Sequence, residues 1–211
     1  MTAAFSPFSI DAGIVTRLRE DFRQRGVAVL LEPALDAHLW RDLCHEAQVQ
    51  RGQGAWRLLS QNNVFEINQN NMRGHLGPFA RGLLHGSSTL SLLRSVTKRN
   101  LEPSWSASCY TYYDEPGSYM GEHCDKFDAC RVAFLFYLQS CWPVGASPGP
   151  GLGLHVFEGD TSRSALLARV TARPNRALIL NGAKQAHLRP PLAPGESLIM
   201  LAGCFRLTGK K

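Results

Sequence analysis

The run Gly121-Glu-His-Cys-Asp-Lys126 sets an imidazole and a carboxylate two residues apart. In an extended strand alternate side chains share a face, so His123 and Asp125 point together while Cys124 points away. Two neighbours on one strand cannot supply three facial positions around a metal, so a third donor must come from a distant strand. His187, within Gln185-Ala-His-Leu-Arg189, is the candidate, because it follows the strand-like segment 177–180. Two histidines and one carboxylate on one face of an octahedron leave three positions open. That suits iron(II) enzymes, which bind a cosubstrate and O2 at one metal. Zinc also accepts two histidines and a carboxylate, but its best-known form spaces the histidines four apart on a helix. Here the pair is two apart, and Pro116-Gly117 just upstream opposes a helix.

Such donors need strands to aim them, and the chain changes texture to provide these. Residues 11–25 carry Ile14, Val15, Leu18 and Phe22 at helical spacing, with Asp11 placed to cap the start and Gly26 to end it. A short buried strand is expected over 27–31 and a second helix over 34–50. Residues 51–75 are rich in Gly and Asn around a strand-like core at 64–67. A third helix is expected over 79–97, interrupted near His85-Gly86. From residue 104 onward, short β-type runs broken by Gly, Pro, Asn and Asp indicate an antiparallel β region. Its strands are expected at 106–113, 131–137, 152–158, 166–170, 177–180 and 197–207.

Composition bounds the function classes. The chain has 211 residues, 44% hydrophobic and 19% charged, which suits one packed domain spanning 1–211. No apolar run is long enough to span a bilayer, and the N-terminus lacks a basic segment followed by an apolar one, so a cytoplasmic protein is expected. Six cysteines, at 44, 109, 124, 130, 141 and 204, include no Cys-x-x-Cys pair, so free thiols are expected. The net charge is +6, but the basic residues are scattered rather than gathered on one face. This weighs against nucleic acid as partner and favours an anionic small molecule.

Residues 105–207 resemble the prolyl-4-hydroxylase-like branch of the iron(II)/2-oxoglutarate dioxygenases. The matching residues run in order. Tyr113-Asp-Glu-Pro-Gly117 lies ten residues before His123, as a Tyr-x-x-Gly element does in that family. Arg131-Val-Ala-Phe-Leu-Phe-Tyr-Leu138 resembles the strand that follows, and Gly151-Leu-Gly-Leu-His-Val-Phe157 the Gly-Gly-x-Leu turn and strand. Arg176-Ala-Leu-Ile-Leu180 leads to His187, and 196–206 resembles the final core strand. The resemblance implies an α+β, mainly β fold. Its core is a double-stranded β-helix (jelly-roll, cupin-like) over 104–211, with helices from 1–103 packed on one sheet. It implies iron(II) held by His123, Asp125 and His187, with 2-oxoglutarate and O2 as cosubstrates and Tyr137 hydrogen-bonded to 2-oxoglutarate. A carboxylate rather than glycine at position 125 fits hydroxylation or a related C–H oxidation, not halogenation.

One departure bears on the cosubstrate. The family usually places Arg or Lys nine or ten residues after the distal histidine to pair with the far carboxylate of 2-oxoglutarate, and Glu196 and Ser197 stand there. Neither replaces a guanidinium. Arg206, further along the same strand, is the first alternative, followed by Arg131 and Arg189. Strand parity sets Arg206 and Ser197 on opposite faces unless a bulge intervenes. Hydroxyls of Tyr137, Tyr113 and Ser197 could instead hold the cosubstrate, or an oxidase could draw its electrons from the substrate without 2-oxoglutarate. Asn68, Asn70 and Arg73, in a region that covers the barrel mouth in this family, and Glu122 beside His123, are candidates for an amino-acid-like substrate. Equally, the Asn-rich stretch could be only a polar, turn-rich loop. A protein side-chain (prolyl-type) hydroxylase, and a cupin-like binding protein without turnover, are the other functions open at this point.

Overall fold

The computed structural model describes residues 7–8, 10–52, 57–58, 62–63, 66–67, 71–126 and 128–209. Helix α1 (Ala12–Arg25) starts where the Asp11 carboxylate accepts from the Ile14 N–H at 2.8 Å and stops at Gly26, whose φ of 67° only glycine adopts without strain. It is followed by β1 (Val27–Leu30), α2 (Ala37–Gly52), and the short strands β2 (Arg57–Leu58), β3 (Asn62–Asn63), β4 (Glu66–Ile67) and β5 (Met72–Gly74). The third expected helix is two, α3 (Pro78–His85) and α4 (Ser87–Thr97), broken at Gly86. Strands β6 (Leu101–Pro103), β7 (Cys109–Tyr113), β8 (Met120–His123), β9 (Val132–Cys141), β10 (Gly153–Phe157), β11 (Leu166–Thr171), β12 (Arg176–Leu180), β13 (His187–Arg189) and β14 (Ser197–Leu207) complete the chain.

All strand pairings are antiparallel. The larger sheet runs β1-β12-β9-β14-β7-β5-β2, with β6 paired to the far end of β14. The smaller runs β11-β10-β13-β8. Period-two alternation sorts the larger sheet's residues into two cores. Tyr110, Tyr112, Phe134, Phe136 and Leu201 face the helices and pack on residues such as Leu18, Leu43, Leu83 and Leu93. Leu135, Leu178, Leu198 and Met200 face the smaller sheet and meet Leu152, Leu154 and Val156. The two sheets therefore sandwich one interior, and the helices shield the other face of the larger sheet.

Buried Glu46 ties the helices to this sheet. Its carboxylate accepts from the Phe79 and Ala80 N–H groups at the start of α3 (2.7 and 3.0 Å) and from the Tyr110 hydroxyl (2.5 Å). Gly77 is required beside it, because a Cβ there would overlap the carboxylate. Glu46→Ala orphans two helix-end donors and a buried hydroxyl, so an equilibrium urea titration should show a loss of about 2–4 kcal/mol.

The thiol expectation needs correcting at two positions. Cys130 and Cys204 form a disulfide, their Cα atoms 4.8 Å apart, while Cys44, Cys109, Cys124 and Cys141 are free. The pairing arises because the segment before β9 folds across the end of β14, where the Arg131 N–H donates to the Phe205 carbonyl at 2.8 Å. The crosslink spans 74 residues. Reduction should therefore lower stability by about 2–4 kcal/mol in a denaturant titration with and without reductant, and should change nothing in Cys130→Ala. Among the described residues, no helix is long and apolar enough to cross a membrane.

Candidate metal centre

Strand pairing brings the distant histidines together. In the β8–β13 ladder, His123 and His187 are direct cross-strand partners, and their rings lie 4.3 Å apart between centroids. Asp125 follows just past the end of β8, with its N–H donating to the Gly182 carbonyl at 2.8 Å. Its Oδ1 lies 3.7 Å from His123 Nε2 and 3.9 Å from His187 Nε2. One donor atom from each of the three falls within 4.8 Å of the others.

The surroundings prepare these atoms for a cation. His123 Nδ1 lies 2.9 Å from the Gly121 carbonyl and His187 Nδ1 3.0 Å from the Gln185 carbonyl. Each Nδ1–H donates there, which leaves the Nε2 lone pairs aimed at the centre. Burial pushes both imidazoles down to about 4, the His187 charge adding to the effect on His123, so both stand neutral at physiological pH. Burial raises the Asp125 carboxyl, and its Oδ2 has no hydrogen-bond partner. A Cβ on Gly182 would overlap that oxygen. Two neutral imidazoles and a buried carboxylate are the donor set a divalent ion completes.

The three residues border a cavity of about 680 Å³ between the sheets. Another buried charge enters it from the strand that carries His187. Arg189, two residues on, is 1% exposed and borders the same cavity. Its guanidinium lies against the rings of Tyr113 and Tyr137, at 5.3 and 5.7 Å, and donates to the Gly151 carbonyl (3.3 Å) and the Tyr137 hydroxyl (3.5 Å). Its Nε has no partner, and among the described residues no carboxylate lies within ion-pair distance.

Known structures share this architecture. A prolyl-4-hydroxylase from Pseudomonas putida superposes with a TM-score of 0.67 at 18% identity, covering 93% of this chain and all of the other. The non-haem alpha-ketoglutarate-dependent epimerase SnoN from nogalamycin biosynthesis gives 0.72 at 13% identity, covering 95% and 86%. The fold is that of the prolyl-4-hydroxylase-like iron(II)/2-oxoglutarate oxygenases. HygX from Streptomyces hygroscopicus, solved with nickel and 2-oxoglutarate bound, has the same oxygenase fold at 0.62 and 14% identity over 95% and 88%. No protein-family model and no curated protein sequence matches the chain.

Within this oxygenase fold, the expected cosubstrate residues divide. Arg206 is not in the cavity. It has inward parity, but it sits where β14 has run past the interior, exposed and bonded to Glu102 at 2.8 Å. Ser197 shares parity with Ile199 and Leu201, which face the helices, so it points away from the site. Arg131 does not border the cavity either, and its charge acts on Arg99, which lies over the Phe22 ring of α1. Glu196, at the family's basic position, is a buried turn clamp that accepts from Gly149 N–H (2.5 Å) and Ala193 N–H (2.9 Å). Tyr113 borders the cavity, while Tyr137 lies behind Arg189 and orients it.

The substrate candidates divide as well. Arg73 lines the cavity, opposite Thr111 on the neighbouring strand, close enough for its charge to act on Asp125 and His123. Asn68 and Asn70 lie outside the described residues. Glu122 is excluded by the alternation that turns His123 inward. It points to the opposite face and accepts from the Ser162 N–H (2.6 Å) and hydroxyl. Cys124 directs its Sγ to the Asp160 carbonyl at 3.8 Å rather than to the ligand trio. Gly182 and Met200, whose sulfur lies 3.9 Å from Arg189, were not anticipated.

Proposed function

We propose that the chain is an iron(II)- and 2-oxoglutarate-dependent oxygenase that hydroxylates or otherwise oxidises a C–H bond of a small molecule. On this reading 1–211 form one oxygenase domain, and the two-sheet sandwich is a double-stranded β-helix. His123 Nε2, His187 Nε2 and the Asp125 carboxylate would hold the iron, whose open positions supply the activation of O2. Arg189 would pair with the far carboxylate of 2-oxoglutarate, and Tyr137 and Tyr113 hold its guanidinium plane in place. Arg189 carries the proposal. A buried guanidinium with no counter-ion among the described residues is costly, and a carboxylate ligand arriving beside the ligand trio relieves that cost. A substrate-driven oxidase would leave this charge unanswered.

The chain's own part is to bind, orient and exclude. The Gly121 and Gln185 carbonyls fix both imidazoles in the tautomer that offers Nε2. Leu135, Leu154 and Met200 wall the cavity, Met200 against Arg189, and limit the access of bulk water. Anaerobic titration with iron(II) and then 2-oxoglutarate should produce a weak visible charge-transfer band, and admitting O2 should release succinate. Iron binding without the band would favour the substrate-driven oxidase. Failure to bind iron would favour a non-catalytic binding protein.

A further inference from the structure

Glu196 is 4% exposed, yet both of its carboxylate oxygens are answered by backbone donors. Oε1 accepts from the Gly149 N–H at 2.5 Å and Oε2 from the Ala193 N–H at 2.9 Å. Those two amides belong to different loops, residues 142–152 between β9 and β10 and residues 190–196 between β13 and β14. One buried carboxylate therefore ties the two loops together. The loops are also fitted to each other. A Cβ on Gly149 would come within 2.6 Å of Glu196 Oε1, and a Cβ on Gly151 within 2.4 Å of the Pro191 carbonyl oxygen. Bare backbone at both positions lets one loop lie directly on the other.

What this clasp delivers to the site is a carbonyl. Past Gly149 the chain makes a single turn of 3-10 helix, Pro150–Leu152, closed by the Leu152 N–H on the Gly149 carbonyl at 3.2 Å. The turn fixes the direction of the Gly151 carbonyl, which accepts from Arg189 Nη1 at 3.3 Å. Among the described residues this is the shortest polar contact of the guanidinium. Its Nη2 reaches the Tyr137 hydroxyl at 3.5 Å and the Met200 sulfur at 3.9 Å. The rings of Tyr113 and Tyr137 add attraction, but a ring face sets no direction for a fork of N–H donors.

We propose that Glu196 is a positioning residue for the cosubstrate. By holding Gly149 it sets the Gly151 carbonyl, and that carbonyl sets the angle at which Arg189 presents its donors to the far carboxylate of 2-oxoglutarate. This rests on the oxygenase reading above. A bidentate pair needs two N–H groups in line with two oxygens, so a small tilt of the guanidinium costs affinity even though the charge stays in place. Bonded to two amides, the Glu196 carboxylate does not take the ligand's place at Arg189. An acidic side chain at the family's basic position thereby serves an arginine carried by another strand.

Two variants break the clasp from opposite sides. Glu196→Ala removes the acceptor. Gly149→Ala keeps Glu196 but sets a methyl group against Oε1, and the backbone there, at φ −73° and ψ 174°, accepts alanine without strain. In each, calorimetry on anaerobic iron(II)-loaded protein should show 2-oxoglutarate bound about ten-fold more weakly, with iron affinity within about two-fold of the wild type. In an Arg189→Met background the same substitutions should cost less than about two-fold, because the group they position is gone. A second readout needs neither metal nor cosubstrate. In isotopically labelled metal-free protein, the Arg189 Nε–H resonance, assigned by its absence from Arg189→Met, should shift in both variants. Circular dichroism checks folding, and Glu196→Gln, which keeps one acceptor oxygen and should show part of each effect, stands in for a variant that does not fold. Unchanged 2-oxoglutarate affinity, a loss that persists without Arg189, or an Arg189 resonance that stays in place overturns the proposal. So does a parallel fall in iron affinity, which would mark a general loosening. Failure of the oxygenase reading is separate: the wild type then gives no charge-transfer band, and the proposal falls with it even if the resonance moves.

Discussion

Arg189→Met is expected to weaken 2-oxoglutarate binding by about 100-fold or more while leaving the metal-free protein at least as stable as the wild type. The two effects share one cause. Residue 189 is 1% exposed, the guanidinium Nε has no hydrogen-bond partner, and its contacts among the described residues include two tyrosine rings, a carbonyl, a hydroxyl and a thioether. Methionine is apolar and nearly as long, so it fills most of the same space without the desolvated charge, a kind of exchange that is often neutral or stabilising by about 1–4 kcal/mol. Binding of a dicarboxylate loses its buried charge-assisted partner, a loss of about 2–5 kcal/mol. Calorimetry of 2-oxoglutarate on iron-loaded protein, beside thermal melts of the metal-free form, reads both quantities. An unchanged 2-oxoglutarate affinity would move the cosubstrate elsewhere, and a large loss of stability would make Arg189 structural.

Asp125→Asn should abolish turnover and reduce iron affinity by at least about 100-fold, yet raise the stability of the metal-free protein by about 1–3 kcal/mol. The Asp125 carboxyl is buried, Oδ2 has no hydrogen-bond partner, and both neighbouring imidazoles are neutral, so without metal the nearby Arg73 charge offsets only part of the cost of its burial. Asparagine keeps the shape and the backbone bond to Gly182 while removing the charge, and with it the only anionic donor of the trio. Such opposed changes in stability and function mark a site assembled for a ligand rather than for the fold. Competitive chelator titration and chemical denaturation of the apo variant measure them. A destabilised variant that still binds iron would contradict this.

How far the site was legible follows from how local each signal is. His123 and Asp125 share a face through strand alternation alone. The same rule, applied from His187, marks Arg189, so that signal was present. The family's habit of placing the basic residue on the last strand sets Arg206 ahead of it among the candidates. That strand outlasts the cavity it lines, a fact that length and parity do not reveal. Strands β8 and β13 escaped the list of expected strands because three or four mixed residues carry no periodicity, although they hold both histidines. The Cys130–Cys204 bond and the contact of Gly182 with Asp125 depend on segments far apart in sequence, so no local pattern encodes them. The helices were readable because caps are local. Asp11 and Gly26 bound α1, and Gly86 divides the third expected helix.

The most direct test is anomalous scattering at the iron edge from crystals grown anaerobically with iron(II). A single peak bonded to His123 Nε2, His187 Nε2 and the Asp125 carboxylate, with Arg189 beyond it at the tyrosine end of the cavity, is the predicted result. A peak elsewhere, or one that His187 does not reach, would contradict the account.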